Sequence, residues 1–447
     1  MEHNKESLRP IPFDRRILGP ASMFFLWLGG CINMGNFTLG TSQYEKGLNI
    51  PQIMWAMLIG FTITVFLKIL NDQFGYFTGA PFAIQLKSSF GAKGSILPTA
   101  MRAAPALVYY GFQSWLAASA LNNISMALFN YSNMWLFFFA FQALQIFLSI
   151  KGFKTVKWVE NVGGVVLLIT ISYMLFVCIT KYGDQMVTLS NREGSWGVPF
   201  ITATLVFMGN AFCLLLNMGD YSRETKAGMS TWKRFIIYWI PDVPVTMLLG
   251  LIGFMSFAAT GNANPVDAFS MMVDNKFLLV MTLLFVLFAQ VTTNLASNVI
   301  PCVYAFMDLV KLKHTLSCII VGILAVVTCP WKLATSESAV GFAIFVKLYS
   351  SFFAPVAAIM IADYFLVHKG HVSNEMLEDL YDDVNGNHRG VNWAAIIAVL
   401  VGAAVSAVTL DYAVIIAPIP AVLIYYFGTK HMASSERFRI GTALEQK

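Results

Sequence analysis

The sequence predicts an all-α polytopic membrane protein with twelve transmembrane helices, and three observations carry that prediction. Of the 447 residues, 57% are hydrophobic and only 12% charged, where a soluble globular chain carries about 25% charged residues. Apolar runs close to the roughly 20 residues that a bilayer crossing needs recur twelve times. Glycine and asparagine interrupt the first and sixth runs, and the eighth carries a dense polar stripe.

The runs begin near Ala21, Pro51, Leu97, Met134, Val159, Val198, Phe235, Phe277, Leu316, Ala339, Trp393 and Ala413. Twelve crossings put both termini on one side, and Lys and Arg decide which. The segments expected inside hold twenty-one of them, whereas those expected outside hold only Lys46, Lys181, Arg192, Lys276 and Lys332. This positive-inside bias places both termini in the cytoplasm of a multi-pass protein of the cell (inner or plasma) membrane. The expected organisation is a cytoplasmic N-terminus (1–20), a ten-helix core (21–367), a cytoplasmic loop (368–392), two C-terminal helices (393–428) and a cytoplasmic tail (429–447). Met1 to Arg16 is polar and the first apolar run lacks a small-residue cleavage site, so no cleavable signal peptide is expected. The six cysteines are scattered without CxxC spacing and read as small core residues. The net charge of +5 matters through its distribution and points to no nucleic-acid partner.

The first run is broken by Gly29, Gly30, Asn33, Gly35 and Asn36, and the sixth by Gly209 and Asn210, with Asn217 and Gly219 beyond. Runs one and six are equivalent if ten spans form two halves of five. Interrupted segments at matching positions point to a transport site at the interface of inverted repeats. The eighth run carries AQVTTNLASNVIP, Ala289 to Pro301. At about 100° per residue, Ala289, Thr292, Thr293 and Ala296 share one face, and Gln290, Asn294, Ser297 and Asn298 the face beside it. Polar residues at membrane depth are expensive unless partnered, and two ordered stripes indicate a binding site.

Thr292 and Thr293 offer hydroxyl oxygens, and an unwound first span would release carbonyls near Gly29 and Ile32. Neutral oxygens without a carboxylate suit a hard, singly charged ion, with Na+ the natural candidate. Two charges fall within spans. Asp242, between Pro241 and Pro244, reads either as a solvated residue in a proline-loosened vestibule or as a coupling charge. Lys347 in the tenth span reads either as snorkelling or as a cavity residue. As a coupling charge, either could make H+ the coupling ion in place of Na+. On the substrate side stand the amides of Gln113, Asn298 and Asn210 and the rings of Tyr109, Tyr110 and Phe112. Amides donate and accept and suit a small flat molecule with alternating N–H and C=O edges, on which a tyrosine one turn before Gln113 would stack. No GxxxxGK[ST] or HExxH motif is present, so neither an ATP-driven pump nor an enzyme is expected, and no cofactor beyond the coupling ion. A sodium symporter for another small solute and a non-transporting membrane sensor are the alternatives.

Several segments resemble the nucleobase–cation symporter-1 family, in particular its bacterial hydantoin, allantoin and cytosine permeases. They are Gly19–Pro20 with Trp27, SFGAKGS from Ser89, YGFQSW from Tyr110, TTNLASN from Thr292, CPW from Cys329, IADYFLV from Ile361 and RGVNW from Arg389. The resemblance implies a LeuT-like five-plus-five inverted repeat with two trailing helices, working by alternating access. It implies a sodium site at the carbonyls of Gly29, Ile32 and Ala289 and the hydroxyls of Thr292 and Thr293. It also implies substrate amides at Gln113 and Asn298, a stacking ring at Tyr109 and an outer gate near Phe345 and Val346. Where relatives place an aromatic on the sixth span, this chain has Ala211 between Asn210 and Phe212. The pocket there is either widened for a bulkier ring, or Phe212 supplies the second face.

Overall fold

The computed structural model describes residues 8–32, 34–210, 212–261, 268, 271–272, 275–333 and 339–445. Of the side chains, those at 34–35, 38, 333, 339–348, 350 and scattered positions of 153–190 lie outside the description. Among the described residues the secondary structure is helical apart from one isolated bridge, Leu18 to Thr225. Helices lie over all twelve expected span starts. Among the described residues five helical stretches are long and apolar enough to cross a membrane, and shorter apolar helices include Pro20–Cys31, Met134–Ile150 and Val198–Asn210.

The first span is two helices, α1 (Pro20–Cys31) and α2 (Met34–Glu45). Gly29 and Gly30 have poor helix propensity, and Ile32 leaves the helical region at φ −84°, ψ 85°. The carbonyls of the last turn of α1 therefore lack helical donors. Helix α3 (Ile50–Thr78) starts in a capping box between Asn49 and Gln52 and stops at Gly79, φ +73°. It is followed by α4 (Phe82–Phe90), α5 (Ile96–Phe129), α6 (Met134–Ile150) and α7 (Phe153–Ser190). The sixth span is broken as expected, into α8 (Val198–Asn210), α9 (Phe212–Leu216) and α10 (Met218–Ser222).

Beyond it, α11 (Thr231–Ile240) runs through a π-turn at Pro241–Val245 into α12 (Thr246–Thr260). Helix α13 (Lys276–Asn294) runs through a π-turn at Leu295–Val299 into α14 (Ile300–Val310). The remaining main helices are α15 (His314–Val327), α16 (Pro330–Leu333), α17 (Ala339–Ala362), α18 (Asn374–Asp379), α19 (Trp393–Thr409), α20 (Ala413–Ile416) and α21 (Pro418–His431).

Two prolines show how the helices are tied together. Pro301 has no N–H, so carbonyls one turn back lose their helical donor. Ser297 O instead accepts from Arg102 Nη2 on α5 at 2.9 Å, and Ala296 O accepts from the Tyr221 hydroxyl on α10. Pro355 inside α17 frees Ser351 O in the same way, and Ser406 Oγ on α19 donates to it at 3.0 Å. Large apolar side chains such as Phe66, Phe139, Ile169, Ile323 and Val408 face outward, as a lipid-facing surface requires.

The largely apolar interior also holds paired charges. Lys68 on α3 is fully buried and pairs with Asp242 at 2.6 Å; Cys31 Sγ donates to the same carboxylate at 2.8 Å. One turn along α3, Asp72 accepts from Arg234 Nε at 2.7 Å and from the Tyr238 hydroxyl at 2.5 Å. Asp242 is thus a buried, paired residue and not a solvated vestibule group, because α3 brings a lysine to it. The charges buried in the protein also exceed the two expected, with Lys68, Asp72, Arg102, Glu160, Asp220 and Arg234 all enclosed.

The hydrophilic segment 368–392 is tied down. Asp383 meets Lys87 at 2.7 Å and Lys311 at 3.0 Å, and both lysines also meet Asp308. Asp379 accepts from the His388 ring at 2.6 Å and from the backbone N–H of Asn387 and His388. Burial alone would raise that carboxyl, but these hydrogen bonds outweigh it and hold the group below the usual carboxylate range.

Candidate functional site

Helices α1, α7 and α13 pack on one another, and the hydroxyl stripe of α13 faces the break in the first span. Thr293 Oγ1 lies 2.6 Å from Gly29 O and 2.7 Å from Ile32 O. One hydroxyl proton serves only one of these carbonyls at a time, so the cluster holds more acceptor oxygens than donors. Thr292 Oγ1 lies 3.1 Å from Phe288 O and 3.2 Å from Ala289 O. The Thr293 hydroxyl thereby joins the carbonyls of Gly29 and Ile32 across the two helices, while the Thr292 hydroxyl is bonded back to its own helix at Phe288 and Ala289; all five residues expected at the site are buried. A surplus of hard oxygen acceptors away from water is what a small monovalent cation satisfies.

The sequence reading missed one group here. Glu160 on α7 is fully buried and touches this junction: a Cβ added to Gly29 would stand 1.8 Å from its Oε2. The expected carboxylate-free site therefore has a carboxylate at its edge. Placing the fifth span from Val159 puts Glu160 at its mouth, but α7 begins at Phe153, two turns earlier. The available signal was Glu160 followed by Gly163 and Gly164, one turn on along the same face.

The amide stripe is also assembled. Asn294 Nδ2 donates to Tyr110 O at 3.2 Å, and Asn298 Nδ2 donates to Asn294 Oδ1 at 3.0 Å. The π-turn at Leu295–Val299 starts just after Asn294 and contains Asn298, widening the turn where the stripe is densest, as π-bulges commonly do at functional sites. Gln113 on α5 is half-buried with its Oε1 lacking any partner among the described residues. Tyr109 meets the Tyr349 hydroxyl of α17 at 2.9 Å.

Asn210, exposed at the end of α8, donates to Asn36 Oδ1 of α2 at 3.1 Å, so an amide pair joins the two broken spans. Phe212 is buried in a cluster with Leu215, Phe353 and Ala357. Ala211 lies outside the described residues, as do the side chains of Phe345, Val346 and Lys347 on α17.

Two spans broken at matching positions, one of them beside an acceptor-rich junction, are the architecture of a membrane transporter rather than of an enzyme. The chain belongs to the family of permeases for cytosine/purines, uracil, thiamine and allantoin, whose model matches residues 10–428. It is 28% identical over 442 residues to the hydantoin permease of Microbacterium maritypicum, covering 95% of this chain and 88% of that one. It is 23% identical to the allantoin permease of Bacillus subtilis strain 168, covering 90% and 86%. Among solved structures it resembles the nucleobase–cation-symport-1 family transporter Mhp1 in a closed conformation with bromovinylhydantoin bound, with TM-score 0.84 and 26% identity over 97% of this chain and 98% of that one. The inward-facing conformation of Mhp1 superposes with TM-score 0.82 over 99% and 95% of the two chains. A Na+-coupled sialic acid symporter at 11% identity shares the fold, with TM-score 0.72 over 97% and 93%.

Proposed function

We propose that the protein imports a nucleobase or related nitrogen heterocycle, of the cytosine, uracil, purine, hydantoin or allantoin class, together with Na+. The observation that carries the cation assignment is the Thr293 hydroxyl set against the carbonyls of Gly29 and Ile32. The substrate class follows the relatives named above and the amides of Gln113 and Asn298, which present donors and acceptors at membrane depth. Tyr109 supplies a ring face and Asn210 an amide on the sixth-span side. Phe212, buried in its own cluster, is the weaker choice for the second ring face.

In this reading the chain crosses a cell membrane twelve times with both termini in the cytoplasm. Residues 21–367 form two inverted five-helix halves, and 393–428 brace them. Bound Na+ draws the break in the first span toward α13 and so favours closure around substrate; release to the cytoplasm lets the halves rock apart. Uptake of labelled bases and hydantoins into proteoliposomes, with and without an inward Na+ gradient, tests the reading. Accumulation that follows the Na+ gradient supports it; uptake indifferent to Na+ overturns it. A second reading, H+ coupling, is favoured by the membrane-depth pair Lys68–Asp242. It predicts uptake that ignores Na+ and collapses when the proton gradient is dissipated.

A further inference from the structure

The Glu160 side chain is fully buried, and neither carboxylate oxygen has a hydrogen-bond partner among the described residues. An enclosed carboxylate is costly unless a positive charge or a proton compensates it. The described structure supplies neither lysine nor arginine to it. Its surroundings are instead the candidate cation junction. Glu160 Oε2 occupies the space beside Gly29 where any larger residue would place its Cβ, and that same point lies 3.1 Å from Thr292 Cβ. One turn along α7, Gly163 lets Thr292 approach, since a Cβ there would stand 2.8 Å from Thr292 Cγ2. Gly29 thus leaves room for the carboxylate beside the break in the first span, and Gly163 leaves room for Thr292 next to it. A hydroxyl and carbonyls bring no formal charge to a monovalent ion; Glu160 brings one full negative charge.

We propose that Glu160 is a direct ligand of the transported cation, so that the loaded site is electroneutral. This rests on the cation reading of the Gly29–Thr293 junction. The test is Na+-dependent thermal stabilisation of the purified full-length protein at constant ionic strength, with K+ as the exchange ion. A ligand that binds only the folded state raises stability in proportion to its affinity. In Glu160→Gln the Na+ concentration giving half-maximal stabilisation should rise at least tenfold, while melting in K+ alone is unchanged or higher, since a buried charge is gone. An unchanged Na+ response in Glu160→Gln overturns the proposal while leaving the junction itself intact.

If the wild type shows no Na+ response and matches Thr293→Ala, the cation reading fails and takes this proposal with it. A measurement on the wild type stands independently of whether the variant folds. Modification of Glu160 by a hydrophobic carbodiimide, read by mass spectrometry of its peptide, should be slowed by Na+ and not by K+. Equal labelling in both salts, in protein that Na+ stabilises, overturns the proposal.

Discussion

Asn298 and Gln113 face the same question from two helices: what satisfies an amide set among apolar spans. Asn298 already gives its N–H to Asn294, whereas Gln113 Oε1 has no partner among the described residues. Asn298→Ala and Gln113→Ala should each weaken binding of the best heterocycle by roughly 1–3 kcal/mol, measured by ligand-induced thermal shift; unchanged affinity in both would place the heterocycle elsewhere. Thr293→Ala should weaken Na+ dependence before it weakens folding, because alanine is well tolerated in a helix; Na+ titrations beside melting curves separate the two. At this scale the hydroxyl stripe could be read directly, since Thr292 and Thr293 lie within one regular turn. Lys68 could not, because it takes its meaning from a helix distant in sequence, and Glu160 left only the trace of the two glycines one turn further on.

Among elements, the breaks in spans one and six were readable from glycine and asparagine alone, and the π-turns were not. A π-turn changes which side chains share a face, and periodicity at 100° per residue carries no trace of it. Helix α3 is the element most altered by seeing the structure. It read as an ordinary apolar span, yet it binds the seventh through Lys68–Asp242 and Asp72–Arg234. Removing one partner of a buried pair strands the other, at about 3–5 kcal/mol. Lys68→Met should therefore be strongly destabilising, and Lys68→Met with Asp242→Leu should recover most of the loss. Melting temperatures of the three proteins check this, and a double variant no better than the single would show that the pair is not coupled. Helix α3 also meets α8 backbone to backbone, since a Cβ on Gly60 would stand 2.5 Å from Thr204 O. Gly60→Leu should wedge the two apart and lower the melting temperature.

For the whole molecule, the segment 368–392 was expected to be a hydrophilic loop, and its composition shows nothing more. The structure ties it to α4 through Lys87, to α14 through Asp308 and Lys311, and to the chain start through the Tyr381 hydroxyl on Leu8 O. Asp379 folds the segment back on itself by accepting from Asn387 and His388. Its folded pKa lies below its ordinary value, so its contribution is present above the unfolded carboxylate pKa of about 3.9 and is lost as pH falls through the lower folded value. Asp379→Asn should thus lower the melting temperature at neutral pH, with the gap to wild type closing in acid. A gap that stays constant down to acid pH would place the effect outside ionisation.

The pairs on α3 have an electrical consequence. A unit charge carried through the full membrane potential is worth about 2.3 kcal/mol per 100 mV, but a lysine and an aspartate that travel together carry no net charge. Lys68, Asp72, Arg234 and Asp242 bring four formal charges into the hydrophobic interior and sum to zero in two tight couples. However far these helices tilt during a cycle, the field exerts almost no net force on them. Voltage is then felt by the travelling ion and by the carboxylate it leaves behind. Charge movements recorded from the doubly neutralised Lys68→Met, Asp242→Leu protein should accordingly match those of the wild type in size.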